Sequence, residues 1–300
     1  MVTTMDAARR GAEPAPQSQH ALAFEFVAAL ASELSSGKID LPSFPDVAIR
    51  VRRALGDDHT SIDQIVRIVG SEPALAARLL KMSNSAALNR SGRQVTELRT
   101  AIARMGYNMV RSAAISFAMA QIRSSSGLKG LEKPLEELWR TSTYVAAFCY
   151  VLAKNHTSRN ADEAFLTGLL HGVGRLYILT RTPRFPALLG DAASLDEIMN
   201  NWHANIAKAV LENWELNEEL VQAVAEQDDV AREHEGPADI SDILICANMM
   251  AAYIDHPEHL VLNMSGVRSF RMLGLDEGNS ATILTESREE IEALRQALGS

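Results

Sequence analysis

Aromatic side chains make up only 5% of these 300 residues, and cysteine occurs twice. Two thiols cannot build a disulfide-dense scaffold. Cys149 and Cys246 lie far apart in apolar, helix-like surroundings, which suits two buried thiols in a reducing compartment better than a disulfide or a metal pair. No stretch alternates polar and apolar residues at period two for long enough to make a strand. No apolar run approaches the ~20 residues of a membrane span. Residues 1–19 carry Arg9, Arg10, Pro14 and Pro16 without an apolar stretch, which argues against a secretory signal. The glycines of Gly168 to Gly174 are followed by no phosphate-loop Lys-Ser/Thr, and no local Ser/His or Cys/His pairing suggests a nucleophile. A soluble, cytoplasmic protein is expected.

What the sequence does hold is helix-forming. Apolar residues reach 47% and charged residues 22%, with Ala and Leu abundant. Residues 1–20 read as a disordered leader. Helical periodicity begins at Ala21 and runs to Leu34. The sequence Leu41-Pro42-Ser43-Phe44-Pro45 is extended, and Pro45 opens a helix reaching Leu55. Ser61 with Gln64 forms a capping box for the next helix. Gly70 to Pro73 breaks the chain before a helix through Leu75, Leu79 and Met82. Ala87 to Gln94 reads as a loop. Thr96 caps a helix that Gly106 ends, and another follows from Asn108 to Ile122. Ser124 to Gly127 marks a subdomain boundary. Beyond it, helices are predicted over Leu135–Lys154, Asp162–Leu179, Leu195–Trp214, Glu218–Gln227, Ile240–Ile254 and Glu286–Leu298. Trp139, Trp202 and Trp214 sit beside apolar neighbours and read as core. The fold class is all-α.

Charge is unevenly spread. The net charge is −9, with +6 over residues 41–123, −13 over 124–300 and −2 over 1–40. The acidic total argues against nucleic acid as the main partner. A helix-turn-helix reading of Ser61 to Leu88 fails on its second helix, whose Leu75, Leu79, Leu80 and Met82 belong to a core rather than a groove. Arg90, Arg93, Arg99, Arg104 and Arg111 form the sharpest basic feature. They suit either an anionic ligand or acidic protein face, or a solvated surface with scattered ion pairs.

Several short blocks, in order, resemble the HDOD family: Leu41-Pro42-Ser43-Phe44-Pro45, Ser71-Glu72-Pro73-Ala74-Leu75, Leu79 to Ala86, Ala101-Ile102-Ala103-Arg104-Met105-Gly106, Leu138-Trp139-Arg140-Thr141-Ser142, and Ala164 to Leu176. The resemblance covers roughly residues 38 to 250. It implies a small N-terminal helical bundle (21–126) packed on a bundle related to the HD and HD-GYP phosphohydrolases (127–256), with 257–300 as a helical extension. It also implies a role in bacterial signalling.

HD hydrolases hold one or two cations with His and Asp side chains, and the cations activate a water. By the resemblance, the first His position falls at Thr141 and the His-Asp doublet at His171-Gly172. A later His falls at His203, a paired His near Gln227 and Asp228, and the last Asp near Asn248. Only His171 and His203 remain as vestigial ligands, with Asp228 or Asp229 as a third. Gly172 supplies no ligand where an Asp would bridge two cations. On their local surroundings, His171 reads as a helix-end histidine bonded in the core and His203 as exposed or partly packed. No catalytic residue, metal or cofactor is therefore expected. The expected function is a non-catalytic regulatory module that binds signalling proteins, such as members of a cyclic-dinucleotide or two-component network, along a groove or face between its two halves. The alternatives are a metal-dependent phosphohydrolase with an atypical site, and nucleic-acid binding through the basic first half.

Overall fold

In the computed structural model of the chain, residues 16–36, 46–57, 59–89, 91–124 and 126–299 are described. The Leu41 to Pro45 segment and Arg90 lie outside them. All regular structure among the described residues is helical. α1 (Pro16–Ser35) starts five residues before the sequence pattern predicts, inside the stretch expected to be disordered. After α2 (Asp46–Leu55), α3 (Ile62–Gly70) begins with the expected capping box. The Ser61 hydroxyl accepts from the Gln64 amide and Gln64 Oε1 accepts from the Ser61 amide. α4 (Pro73–Ser83) carries proline in its first turn. α5 (Leu98–Arg123) is two helices joined at Gly106, whose φ of 74° is open to glycine at little cost. Glu97, not Thr96, precedes it, with no side-chain cap.

The second half holds α6 (Glu132–His156), α7 (Ala161–Leu170), α8 (Val173–Arg181), α9 (Pro186–Leu189), α10 (Ala192–Asn213), α11 (Glu218–Ala225) and α12 (Ile240–Ala252). The single helix predicted over Asp162–Leu179 is broken at His171-Gly172. Glycines set the two closest crossings around that break. A Cβ on Gly168 would lie 2.7 Å from the Cα of Ala146, so α7 touches α6 backbone to backbone. A Cβ on Gly174 would lie 1.9 Å from the carbonyl oxygen of His203, so α8 meets α10 in the same way.

The chain then returns through α13 (Pro257–Met264), α14 (Arg268–Met272), α15 (Glu277–Glu286) and α16 (Arg288–Leu298). α16 packs on both α6 and α4 and so ties the two halves together, burying Ile291, Leu294 and Leu298. α1 packs on α10 and α9 of the second half. Glu33 there accepts from Tyr177 Oη at 2.7 Å, Arg181 Nε at 2.9 Å and Arg184 Nη1 at 2.7 Å. No helix among the described residues is long and apolar enough to cross a membrane.

Candidate functional site

A cleft of about 600 Å³ opens in the second half. Its walls come from the start of α6, the α7–α8 junction, α9 and α10, the loop after α11, and α12. Thr141, His171, Gln227, Asp228 and Asn248 all line it. Gly172 lies just beneath, where an added Cβ would meet Leu138 Cδ1 at 2.8 Å and Ser142 Oγ at 3.0 Å. His203 reaches the same place through Asp228, its Nε2 standing 2.9 Å from the carboxylate. The positions that the family resemblance singles out thus converge.

His203 is buried rather than exposed or partly packed, because the Gly174 crossing draws its stretch of α10 onto α8. Trp202 is 41% exposed instead of in the core, being one residue round the same helix. Trp139 and Trp214 are buried, and so are Cys149 and Cys246.

Hydrogen bonds fix the floor of the cleft. His171 ends α7 and its Nδ1 lies 2.7 Å from the Gly168 carbonyl, which places a proton on Nδ1 and leaves Nε2 as an acceptor. Burial pushes the pKa of this ring down to about 4, and the nearby Arg175 charge pushes the same way. Gln227 donates to the carbonyls of His171 and Val224 at 3.1 and 2.9 Å, and accepts a long 3.5 Å bond from Asn248. Asn248 Oδ1, Ser142 Oγ and His203 Nδ1 are buried without a protein partner.

Arg175, a residue the sequence reading left without a role, extends into this constellation from one turn beyond His171. Its Nη2 is 3.4 Å from His203 Nε2. Both Arg175 and Asp228 address that one nitrogen, and it cannot serve both. A bond to the Asp228 carboxylate requires a proton on Nε2, whereas accepting from Arg175 requires a lone pair. The shorter, charge-assisted contact to Asp228 prevails. The His203 hydrogen bond, and then the charges of His203 and Arg175, hold the Asp228 carboxyl below its ordinary range.

These residues do not fit a metal ion. Among the described residues, two clusters place three ligating atoms within 4.8 Å of one another, His234–Asp239–Asp242 and His256–Glu258–His259, and both are outside the cleft. Within it, a guanidinium stands where a second positive charge would be repelled. Gly172 offers no ligand, and its surroundings leave little room for one.

The arginines of the first half are not gathered at the cleft. Arg99 pairs with Asp63, Arg104 donates to Asn89 at 2.8 Å, and Arg111 donates to the Leu55 carbonyl at 2.8 Å. Arg93 has its carbonyl held by Asn89.

The chain is 22% identical over 236 residues to an uncharacterised protein of Treponema pallidum, matching 75% of this chain and spanning 45% of that relative's length. Among solved structures, it superposes with a TM-score of 0.73 on a Shewanella amazonensis protein provisionally named a metal-dependent phosphohydrolase. The two are 24% identical, covering 93% of this chain and 99% of the other. An HDOD domain protein of unknown function from Geobacter sulfurreducens gives a TM-score of 0.63 at 21% identity, covering 94% and 98%. A Marinobacter aquaeolei protein provisionally named for signal transduction gives 0.57 at 18%, covering 94% and 67%. The profile of the HDOD domain matches residues 41–230, and the chain belongs to that family.

Proposed function

We propose that this chain is a regulatory module of signal transduction that works by binding, with no hydrolytic step. The observation that carries the reading is the guanidinium of Arg175 beside the His203–Asp228 pair. An arginine attracts an oxyanion as a metal does, but it stays charged and has no site to ionise a water. Together with Gly172, it leaves the cleft a receptor for a bound group and removes the nucleophile. The name of the Marinobacter structure agrees with such a role. The output then passes to a separate signalling protein, which reads the occupied or empty state of the module.

The Shewanella structure's name supports a competing reading, a metal-dependent phosphohydrolase. Metal content and bis(p-nitrophenyl) phosphate hydrolysis, measured on one purified sample with added manganese, distinguish the two. Absence of both a stoichiometric metal and turnover is expected. Metal-dependent turnover that disappears in His171→Ala would overturn the binding reading.

A further inference from the structure

The cleft is poor in positive charge. Among the described residues Arg175 is its one guanidinium, set against the carboxylates of Glu137, Asp196 and Asp228, and it forms no ion pair with a described carboxylate. Leu138, Leu195 and Met199 make part of its wall apolar, and two acceptors lie at its floor, His171 Nε2 and the buried, unpartnered Oδ1 of Asn248. We propose that the cleft binds a small apolar carboxylate that also bears an N–H or O–H donor. The carboxylate would sit on Arg175, the donor on His171 or Asn248, and the body against Leu138, Leu195 and Met199. This inference rests on the reading that the cleft binds rather than hydrolyses.

Three observations support that chemistry. A volume of about 600 Å³ suits a small organic molecule and is too small for a folded element. One planar guanidinium matches one carboxylate in a two-pronged contact, whereas a phosphate dianion would meet three carboxylates with a single positive charge to offset them. An acceptor buried without a partner is costly, and a ligand donor relieves that cost. The Nδ1 proton of His171 is committed to the Gly168 carbonyl, which leaves Nε2 as the acceptor of the ring.

The test is isothermal titration of the full chain with indole-3-acetate, which has one carboxylate, an apolar body and one N–H. Binding is expected, and it weakens by about tenfold or more in Arg175→Gln or when indole-3-ethanol replaces the acid. 1-Methylindole-3-acetate, lacking the donor, and phenyl phosphate, carrying the dianion, both bind more weakly. No binding of indole-3-acetate at millimolar concentration overturns the proposal. So does equal affinity for the alcohol, or tighter binding of phenyl phosphate. The acid-against-alcohol comparison uses the unaltered protein, so it holds even if Arg175→Gln does not fold. Hydrolysis measured on the same sample separates the two proposals. Turnover removes the binding reading, while absence of both turnover and binding removes this inference alone.

Discussion

Acidification from about pH 7 to about pH 4 asks the fold to accept a charged imidazole at His171, where it has no place for one. The ring is 7% exposed, its Nδ1 proton is committed to the Gly168 carbonyl, and Arg175 lies close by. Its pKa falls from 6.5 in the unfolded chain to about 4 in the folded one. A folded-state pKa below the unfolded value means the unfolded chain binds the proton first. Stability from the neutral ring is therefore complete above about pH 6.5 and declines as pH falls towards 4. At about 1.36 kcal/mol per unit, the decline is on the order of 3 kcal/mol. Urea denaturation across that range, for the natural sequence and His171→Asn, measures it. The variant loses packing at neutral pH, so the difference in pH dependence is the quantity to compare. The variant should lose about 3 kcal/mol less on acidification. Identical pH dependence, or an imidazole resonance of His171 titrating near 6.5, would refute the reasoning. Asp228 does not confuse this window, since its carboxyl is held below its usual 3.8.

Further outcomes are expected elsewhere. His234 shows the opposite sign: its hydrogen bond to Asp242 at 2.7 Å raises its pKa, so its contribution is full below about pH 6.5 and lost as pH rises past the folded value. His234→Ala should therefore destabilise more at pH 6 than at pH 8 in the same urea assay. Gly174→Ala should cost about 3 kcal/mol or more, because the added carbon meets a backbone oxygen of α10, whereas Gly172→Ala costs about 1 kcal/mol because the Leu138 side chain can turn aside. Equal urea midpoints for the two variants would contradict the crossing described above. Glu33→Ala removes the carboxylate from the nearly buried Arg181 and should cost about 2 kcal/mol, with faster proteolysis within α1. Gly172→Asp, which restores the doublet of the hydrolases, should lower stability and confer no metal-dependent hydrolysis, as metal analysis and the phosphodiester assay would report.

Features set by neighbours in sequence were legible from sequence. The Ser61–Gln64 box, the interruption between α3 and α4 within Gly70 to Pro73 and the Gly106 break each depend on a few adjacent residues, and each is present. The convergence of Thr141, His171, Gln227, Asp228 and Asn248 was visible through family resemblance and through nothing local. What periodicity could not reveal was tertiary. Ala164 to Leu179 is mostly apolar and reads as one helix; Gly168, Gly172 and Gly174 allow either a close crossing or a helix end, and the choice of a break at His171-Gly172 is tertiary, with Leu138 and Ser142 of α6 crowding the position from across the bundle. His203 sits among Asn200, Asn201 and Asn205 and looks solvent-facing, yet the glycine on a different helix buries it. Arg175 carried a usable signal, since it lies one helical turn after His171 within the segment that resembles the family.

The loss of the metal ligands and the presence of Arg175 are better understood together than as separate departures. Without Arg175 the cleft would be lined by the carboxylates of Glu137, Asp196 and Asp228 and, among the described residues, by no guanidinium. The guanidinium supplies positive charge there without needing ligands, and His203 is held by Asp228 whether or not an ion is present. On the proposed binding reading, attraction for an anionic group replaces the metal-activated hydroxide of a hydrolase. The proposed binding reading also carries a preference among anions. A dication pair tolerates a dianionic phosphate, whereas one guanidinium among three carboxylates favours a single negative charge. If the cleft binds as proposed, departure from the hydrolase pattern shifts its selectivity from phosphoesters towards carboxylates, which the indole-3-acetate and phenyl phosphate titrations compare directly.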